Sequence, residues 1–254
     1  VVVARVRAGA GVNRFLKASV SGQTNPDSDL LWSFSPPRID DILPRSGPTV
    51  PDVRKGDETR LTVTGSSFGV RGGRLTIDGK VCEIVSHTHT KVVCDIPSGM
   101  FASRVVRFQN DDSVPSGVSN AAFYRDGRWS TTNASFSYDP PAVTGVDPSR
   151  ANAEGEPRFV IYGRNFGPFQ TETAVSVGAQ VCANASWTSD EQISCAMLRD
   201  RAGRKNLTVD VAGQRSFFSD FDFRVRVTLV CQTSWYGMPG EYCLRCPVGA
   251  LCDD

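Results

Sequence analysis

Eight cysteines and three Asn-x-Ser/Thr sequons are the residues of this 254-residue chain whose types and spacing could do chemistry. The cysteines divide by position into Cys82 and Cys94, Cys182 and Cys195, and a dense tail of Cys231, Cys243, Cys246 and Cys252. Each of the first two pairs flanks a short polar turn, Ser86 to Thr90 in one and Ser186 to Glu191 in the other. Neighbouring antiparallel strands joined by such a turn bring two thiols together, and recurrence of the pattern favours a bridge over free thiols. A disulfide that closes a loop of about 13 residues stabilises by on the order of 3 kcal/mol in the chain-entropy picture. The tail is too small and too rich in Gly and Pro to hold a core of its own, so it needs staples. Zinc is the rival reading, because Cys243 and Cys246 have ligand spacing. Only one such pair exists and no His lies in the tail, so disulfides are favoured, with connectivity that spacing alone does not fix. Disulfides point to an oxidising compartment, here the extracellular side.

The sequons are Asn133-Ala134-Ser135, Asn184-Ala185-Ser186 and Asn206-Leu207-Thr208, and they predict N-linked glycans at Asn133, Asn184 and Asn206. Asn206 and Thr208 share the polar face of a strand whose other face is Leu207 and Val209, so a glycan there would point to solvent.

Other chemistry is poorly supplied. The two histidines, His87 and His89, sit in one expected turn, where a solvated loop is favoured over a metal site. Asp40-Asp41 and Asp111-Asp112 lack the alternating oxygen ligands of a calcium loop. No nucleophile, base and acid set stands out, and no Gly-rich loop with a following Lys cradles phosphate. The expectation is a non-enzyme with no cofactor and no bound metal. Charge is balanced, 28 basic against 27 acidic residues for a net +1, so no global field draws in nucleic acid. Basic clusters at Arg199 to Lys205 and at Arg224 and Arg226 read as a polar turn and the solvent face of a strand. No apolar run approaches the roughly 20 residues of a membrane-spanning helix.

The elements that must position these residues follow from a repeat. Pro36-Pro37-Arg38-Ile39-Asp40-Asp41-Ile42-Leu43-Pro44 matches Pro140-Pro141-Ala142-Val143-Thr144-Gly145-Val146-Asp147-Pro148. Gly65-Ser66-Ser67-Phe68-Gly69 matches Gly163-Arg164-Asn165-Phe166-Gly167, and the cysteine pairs follow in register. The period is about 100 residues, the size of a β-sandwich module. Leu61/Val63, Leu75/Ile77, Leu207/Val209/Val211 and Phe223/Val225/Val227/Leu229 alternate with polar residues, the period-two pattern of half-buried strands. Turn signals recur at Gly72-Gly73, Asp78-Gly79, Asp126-Gly127 and Ala212-Gly213. The fold class is therefore all-β, with tandem immunoglobulin-like sandwiches and a small disulfide-rich C-terminal module. Residues 110–133 have no counterpart in the second unit and read as a surface insertion with a hairpin at Asp126-Gly127. Trp32, Phe34, Phe136 and Tyr138 are expected to pack into the core at the ends of last strands. The Pro-Pro pairs should stiffen the joints.

These motifs resemble the IPT/TIG family of immunoglobulin-like domains. The resemblance rests on the Pro-x-Ile-x-x-Ile-x-Pro opening, the Gly-x-x-Phe-Gly turn and the later cysteine pair. It implies residues 36–139 and 140–229 as two whole domains, and 1–35 as the C-terminal end of a preceding one. The second copy carries Arg150 to Gly155 where the first has Ser46-Gly47, so a different loop is expected there. Residues 230–254 are similar to the start of Cys-rich modules of ephrin-receptor-like ectodomains. Tandem domains of this family followed by Cys-rich modules resemble large surface glycoproteins, including plexin-like and fibrocystin-like receptors and mastigoneme-like glycoproteins of protists and algae. The resemblance implies an extracellular spacer and adhesion segment, possessing no membrane span in this stretch, whose partners are other protein chains, by self-assembly in a filament or as a surface ligand. The alternative it implies is the ligand-binding ectodomain of a signalling receptor.

Overall fold

A computed structural model describes residues 3, 5–12, 14–24, 31–52, 54, 59–70, 72–110, 128–216, 226–248 and 252. Among them there is no α-helix, and the chain is built from strands and turns. The chain divides into two compact units. The first holds Val1–Gly47, Pro51–Pro97 and Ser103–Ser137, and the second holds Pro48–Val50, Ser98–Ala102 and Tyr138–Asp254.

The first unit opens with four two-residue strands, β1 (Arg14–Phe15), β2 (Ser19–Val20), β3 (Gln23–Thr24) and β4 (Leu31–Trp32). They form two small ribbons, β1 with β4 and β2 with β3. Val3 and Arg5 to Arg7 lie in no strand. Then follow β5 (Arg38–Leu43), β6 (Ser46–Gly47), β7 (Arg60–Ser66), β8 (Arg74–Ile77), β9 (Lys80–His87), β10 (Lys91–Asp95), β11 (Arg104–Gln109) and β12 (Ala134–Tyr138). They make one continuous ladder in the order β5-β7-β10-β9-β8-β11-β12-β6. Continuity rests on β9. Val81 and Cys82 pair with Thr76 and Leu75 of β8, while Glu83, Ile84, Ser86 and His87 pair with β10. One strand thus serves both layers. Alternation does the rest: Leu61, Val63, Leu75, Val92, Val106, Phe108 and Phe136 point inward and are fully buried, as period two requires when one face of each strand meets the other layer.

The second unit keeps two sheets apart. β13 (Ala142–Asp147), β15 (Arg158–Arg164), β19 (Gln192–Ala196) and β18 (Ser186–Ser189) form one, in that order. The other runs β14 (Arg150–Asn152), β22 (Arg226–Val230), β20 (Gly203–Val211), β16 (Thr173–Val177) and β17 (Gln180–Val181), with β21 (Gln214–Arg215) also on β20. The stretch that is unbroken in β9 is here split into β17 and β18, with Cys182 at the break. The loop expected at Arg150 to Gly155 supplies β14, which pairs with β22 in parallel. Phe159, Ile161, Phe166, Val175, Val177, Ile193, Leu207, Val209 and Val227 fill the core.

The Gly-x-x-Phe-Gly motif has one physical account in both units. A Cβ at Gly65 would collide with the carbonyl oxygen of Arg38 and the ring of Phe68, and one at Gly163 with those of Ala142 and Phe166. Glycine is required because the neighbouring strand and the buried ring leave no room. Ser67 and Asn165 then turn the chain left-handed at φ 61° and 62°, and Gly69 and Gly167 follow at φ 87° and 99°. The turn drops Phe68 and Phe166 into the core with no exposure. Both repeats also carry a cis X-Pro bond, Leu43-Pro44 and Asp147-Pro148.

The aromatic expectations divide. Phe136 and Tyr138 are buried and Phe34 is half-buried, but Trp32 is 42% exposed. Among the described residues its strand β4 pairs only with the two-residue β1, and the indole meets Phe34 edge-on at 6.4 Å. The hairpin expected at Asp126-Gly127, the Asp111-Asp112 pair, Phe223, Arg224 and Val225 lie outside the described residues.

β23 (Trp235–Tyr236) and β24 (Leu244–Arg245) form a short ribbon in the tail, Trp235 facing Arg245 and Tyr236 facing Leu244. This tail is docked on the second sandwich: Cys243 is fully buried and belongs to its core, with Cys231 and Trp235 packed alongside.

Candidate functional site

The cysteines are joined in sequence order. Cys82 bonds Cys94, Cys182 bonds Cys195, Cys231 bonds Cys243 and Cys246 bonds Cys252. The thiols that could have ligated zinc are thereby all oxidised, and no cluster of His, Cys, Asp and Glu able to hold a metal occurs among the described residues. Cys82 lies on β9 where it leaves β8, and Cys94 on β10, so the first bridge fixes the strand shared by both layers. Cys182 follows β17 and Cys195 lies on β19, so the second bridge ties the two separate sheets. Cys82, Cys94, Cys182, Cys195 and Cys243 are buried, which shields those sulfurs from exchange.

The histidines are not a solvated turn. His87 ends β9 and donates its Nε2–H to the carbonyl oxygen of Phe68, 3.1 Å away, with its ring edge-on to Phe108 at 5.6 Å. The Nδ1 atoms of His87 and His89 are buried without a hydrogen-bond partner. Trp187 does the same work in the second unit, donating Nε1–H to the carbonyl oxygen of Gly167 at 3.2 Å. In each unit a ring N–H closes the Gly-x-x-Phe-Gly turn from beneath. The backbone repeats the arrangement. Gly65 and Phe68 donate to Thr90 and His89, and Gly163 and Phe166 to Glu191 and Asp190. Asp40 and Asp41 pair with Arg38 and Arg45.

The basic stretch Arg199 to Lys205 is the dock for the tail. The guanidinium carbons of Arg199 and Arg201 lie 5.4 and 5.2 Å from the centroid of the Tyr242 ring. Arg199 also pairs with Glu154 and donates to the carbonyl oxygen of Cys243. Ala202 exchanges backbone hydrogen bonds with Glu241 and Gly240. Sequence reasoning missed this role because Tyr242 lies about 40 residues on, beyond the reach of any local pattern.

Asn133, Asn184 and Asn206 are all exposed. Asn133 precedes β12, Asn184 lies in the break between β17 and β18, and Asn206 is on β20 with Leu207 and Val209 buried behind it.

Each unit carries a shallow groove on the outer face of the sheet containing β8 and β11, or β16 and β20. In the first unit the groove is about 420 Å³, lined by Arg74, Thr76, Asp78, Gly79, Val105, Arg107 and Trp129. Thr76 faces Arg107 across the ladder, Gln109 faces Arg74, and Gln109 bridges to Trp129. In the second it is about 380 Å³, lined by Glu172, Ala174, Ser176, Thr208, Asp210, Gly213 and Arg215. The period-two signal places these side chains on a solvent face, but which residues meet across the strands is set by register, which the sequence does not display.

The IPT/TIG domain family model matches residues 37–138 and 141–225, well over half of the chain. A search of curated proteins finds no match. Among solved structures, the plexin A4 full extracellular region aligns over 79% of this chain and 16% of its own length at 20% identity and a TM-score of 0.35. The surface glycan-binding protein PbSGBP-B of Prevotella bryantii aligns over 71% of this chain and 39% of its own at 11% identity and a TM-score of 0.40. InvD of Yersinia pseudotuberculosis covers 79% and 58% at 12% identity and a TM-score of 0.28. At such identities and scores these likenesses say nothing of function, and the chain spans only a small part of the plexin ectodomain. With two copies of the opening, the turn and the cysteine pair in register, and the family model matched twice, the chain belongs to the IPT/TIG domain family.

Proposed function

We propose that this chain is a non-catalytic extracellular segment of a modular glycoprotein, acting as a spacer and a protein-interaction surface. The observation that supports it most is the distribution of staples. Both sandwiches and the tail are closed by disulfides, and no described cysteine is free. Such bonds persist outside the cytosol. Exposed Asn133, Asn184 and Asn206 fit glycans that project into solvent and keep parts of the surface apart from partners. No helix among the described residues is long and apolar enough to cross a membrane.

The interaction faces are presented to other protein chains, either copies of this one in a surface filament or a ligand on another cell. Secretion from a eukaryotic host followed by non-reducing peptide mass spectrometry tests the reading. The expected result is four disulfide-linked peptides and occupied Asn133, Asn184 and Asn206. Free thiols at Cys82 and Cys94 or at Cys182 and Cys195 in the folded, secreted protein would sink it. Sedimentation of the same material tests self-assembly, for which a specific interface should bury on the order of 1,000 Å² or more.

A further inference from the structure

We propose that the groove of the first unit is a binding site for an acidic saccharide, a sugar chain bearing sulfate or carboxylate groups. It rests on the interaction-surface reading above and names the class of partner for one face.

The argument starts from charge. Arg74 and Arg107 are exposed, stand on adjacent strands, and make no ion pair or side-chain hydrogen bond among the described residues. The acidic residue of the groove, Asp78, is already engaged by Arg104 at 3.2 Å. Two guanidinium groups with ten N–H donors between them are thus unpaired among the described residues, and the one carboxylate lining the groove is already paired. Planar guanidinium forks match sulfate and carboxylate oxygens in pairs, which an isolated surface lysine does not. Beside them stands Trp129, 43% exposed. An indole held in this half-exposed way offers a flat apolar surface with a polar rim, suited to the C–H face of a pyranose ring. The floor is Thr76, 4% exposed, and Val105 on β11, both on paired interior strands. The paired strands fix where the Arg74 and Arg107 backbones stand, and the bridge to Gln109 does the same for Trp129. The volume of about 420 Å³ lies within the range of small-ligand sites.

The topology argues against a peptide in the same place. β8 is flanked by β9 and β11, and β11 by β8 and β12, so no free backbone edge remains for an added strand. The groove has no deep apolar socket for a peptide anchor. The corresponding groove of the second unit supplies the contrast. Glu172 and Asp210 outnumber Arg215 there, it has no aromatic, and Asn206 of the sequon emerges on the same strand face as Thr208 and Asp210. That face repels anions and carries a sugar of its own if the sequon is occupied.

Titration calorimetry on the full chain tests this with three probes: a heparin-derived hexasaccharide, neutral maltohexaose, and a hexapeptide of alternating Asp and Glu. The expected result is binding of the sulfated sugar alone, weakening with added salt. Arg107→Ala and Arg74→Ala should each reduce affinity about tenfold, Trp129→Ala about fivefold, and Arg107→Lys should recover only part of the loss. Arg215→Ala, in the other groove, should change nothing. All four positions are solvent-facing, and an unchanged melting temperature checks each fold. The proposal is overturned if the sulfated sugar fails to bind more tightly than about 1 mM. It is also overturned if binding survives the Arg74→Ala/Arg107→Ala double variant or ignores Trp129, or if the acidic hexapeptide binds as tightly. Self-association measured by sedimentation stands apart from these outcomes, so loss of the saccharide site and loss of the broader interaction reading are distinguishable.

Discussion

The two sandwiches solve the same problem with different strand economy. In the first unit β9 runs eight residues and joins both layers by backbone hydrogen bonds. In the second the same stretch is cut into β17 and β18, and Cys182 and Asn184 occupy the gap. The cysteine separations differ by a single residue, 12 against 13. A register irregularity lies in both stretches, between β9 and β10 and between β18 and β19, but only in the second does the strand itself stop and restart. The disulfide is therefore redundant with a backbone ladder in the first unit and is the covalent tie between two sheets in the second.

Denaturant titrations of core variants should show the largest effect and the closest similarity. Phe68→Ala and Phe166→Ala each remove a fully buried ring and should each cost about 4 kcal/mol. Phe68 should lose somewhat more, because its ring also packs on Phe108 at 4.9 Å. A cost below about 1 kcal/mol at either position would break the equivalence of the two turns.

Removal of the bridges should separate the units. Cys82→Ala/Cys94→Ala and Cys182→Ala/Cys195→Ala should each lose about 3 kcal/mol, since the closed loops are nearly equal. Amide exchange should differ. In the second unit the end strands β17 and β18 should open locally, while β9 in the first stays protected along its length by its ladders with β8 and β10. Equal local opening in both units would contradict the redundancy.

His87→Phe and Trp187→Phe keep a ring and delete the N–H that reaches the turn carbonyl. Each should cost about 1 kcal/mol in thermal unfolding, with Phe68 or Gly167 left as the unsatisfied acceptor. If only one variant is destabilised, the shared turn closure is not shared. Smallest of all, Tyr242→Ala should cost up to about 1 kcal/mol, through lost contact with Arg199 and Arg201. Its readout is faster exchange at the Ala202 and Gly240 amides, and unchanged exchange would place the hold of the tail in Cys231–Cys243 and the bonds of Ala202 and Arg199 to the tail backbone.

Much of this architecture was legible in the residues themselves. Alternation located the strands at Leu61, Leu75 and Leu207, and the doubled glycine motif located both turns, because each is a local demand on backbone or burial. Trp32 was misjudged, since burial depends on what a neighbouring strand brings to it. The histidines were misjudged as well: the turn is shorter than the polar composition of Ser86 to Thr90 implied, and His87 still belongs to β9. The tail dock and the two grooves were hidden for a different reason. Arg199 meets Tyr242, and Arg74 comes beside Arg107 and Trp129, through register and long-range packing that no window of sequence contains. The sequons were plain to read, and the structure adds that all three Asn side chains are exposed.

The parallel pair of β14 and β22 has a mechanical consequence. Arg150, Ala151 and Asn152 lie opposite Thr228, Leu229 and Val230, with further backbone bonds from Thr228 to Ser149 and from Ala153 to Val230. Because the strands run the same way, the entry of the one and the exit of the other lie at opposite ends of the ladder. A pull applied between Ser149 and Val230 drags them lengthwise past each other. All the hydrogen bonds are then loaded together, whereas an antiparallel pair pulled at adjoining ends peels one bond at a time. Under tension the second sandwich resists as a shear clamp.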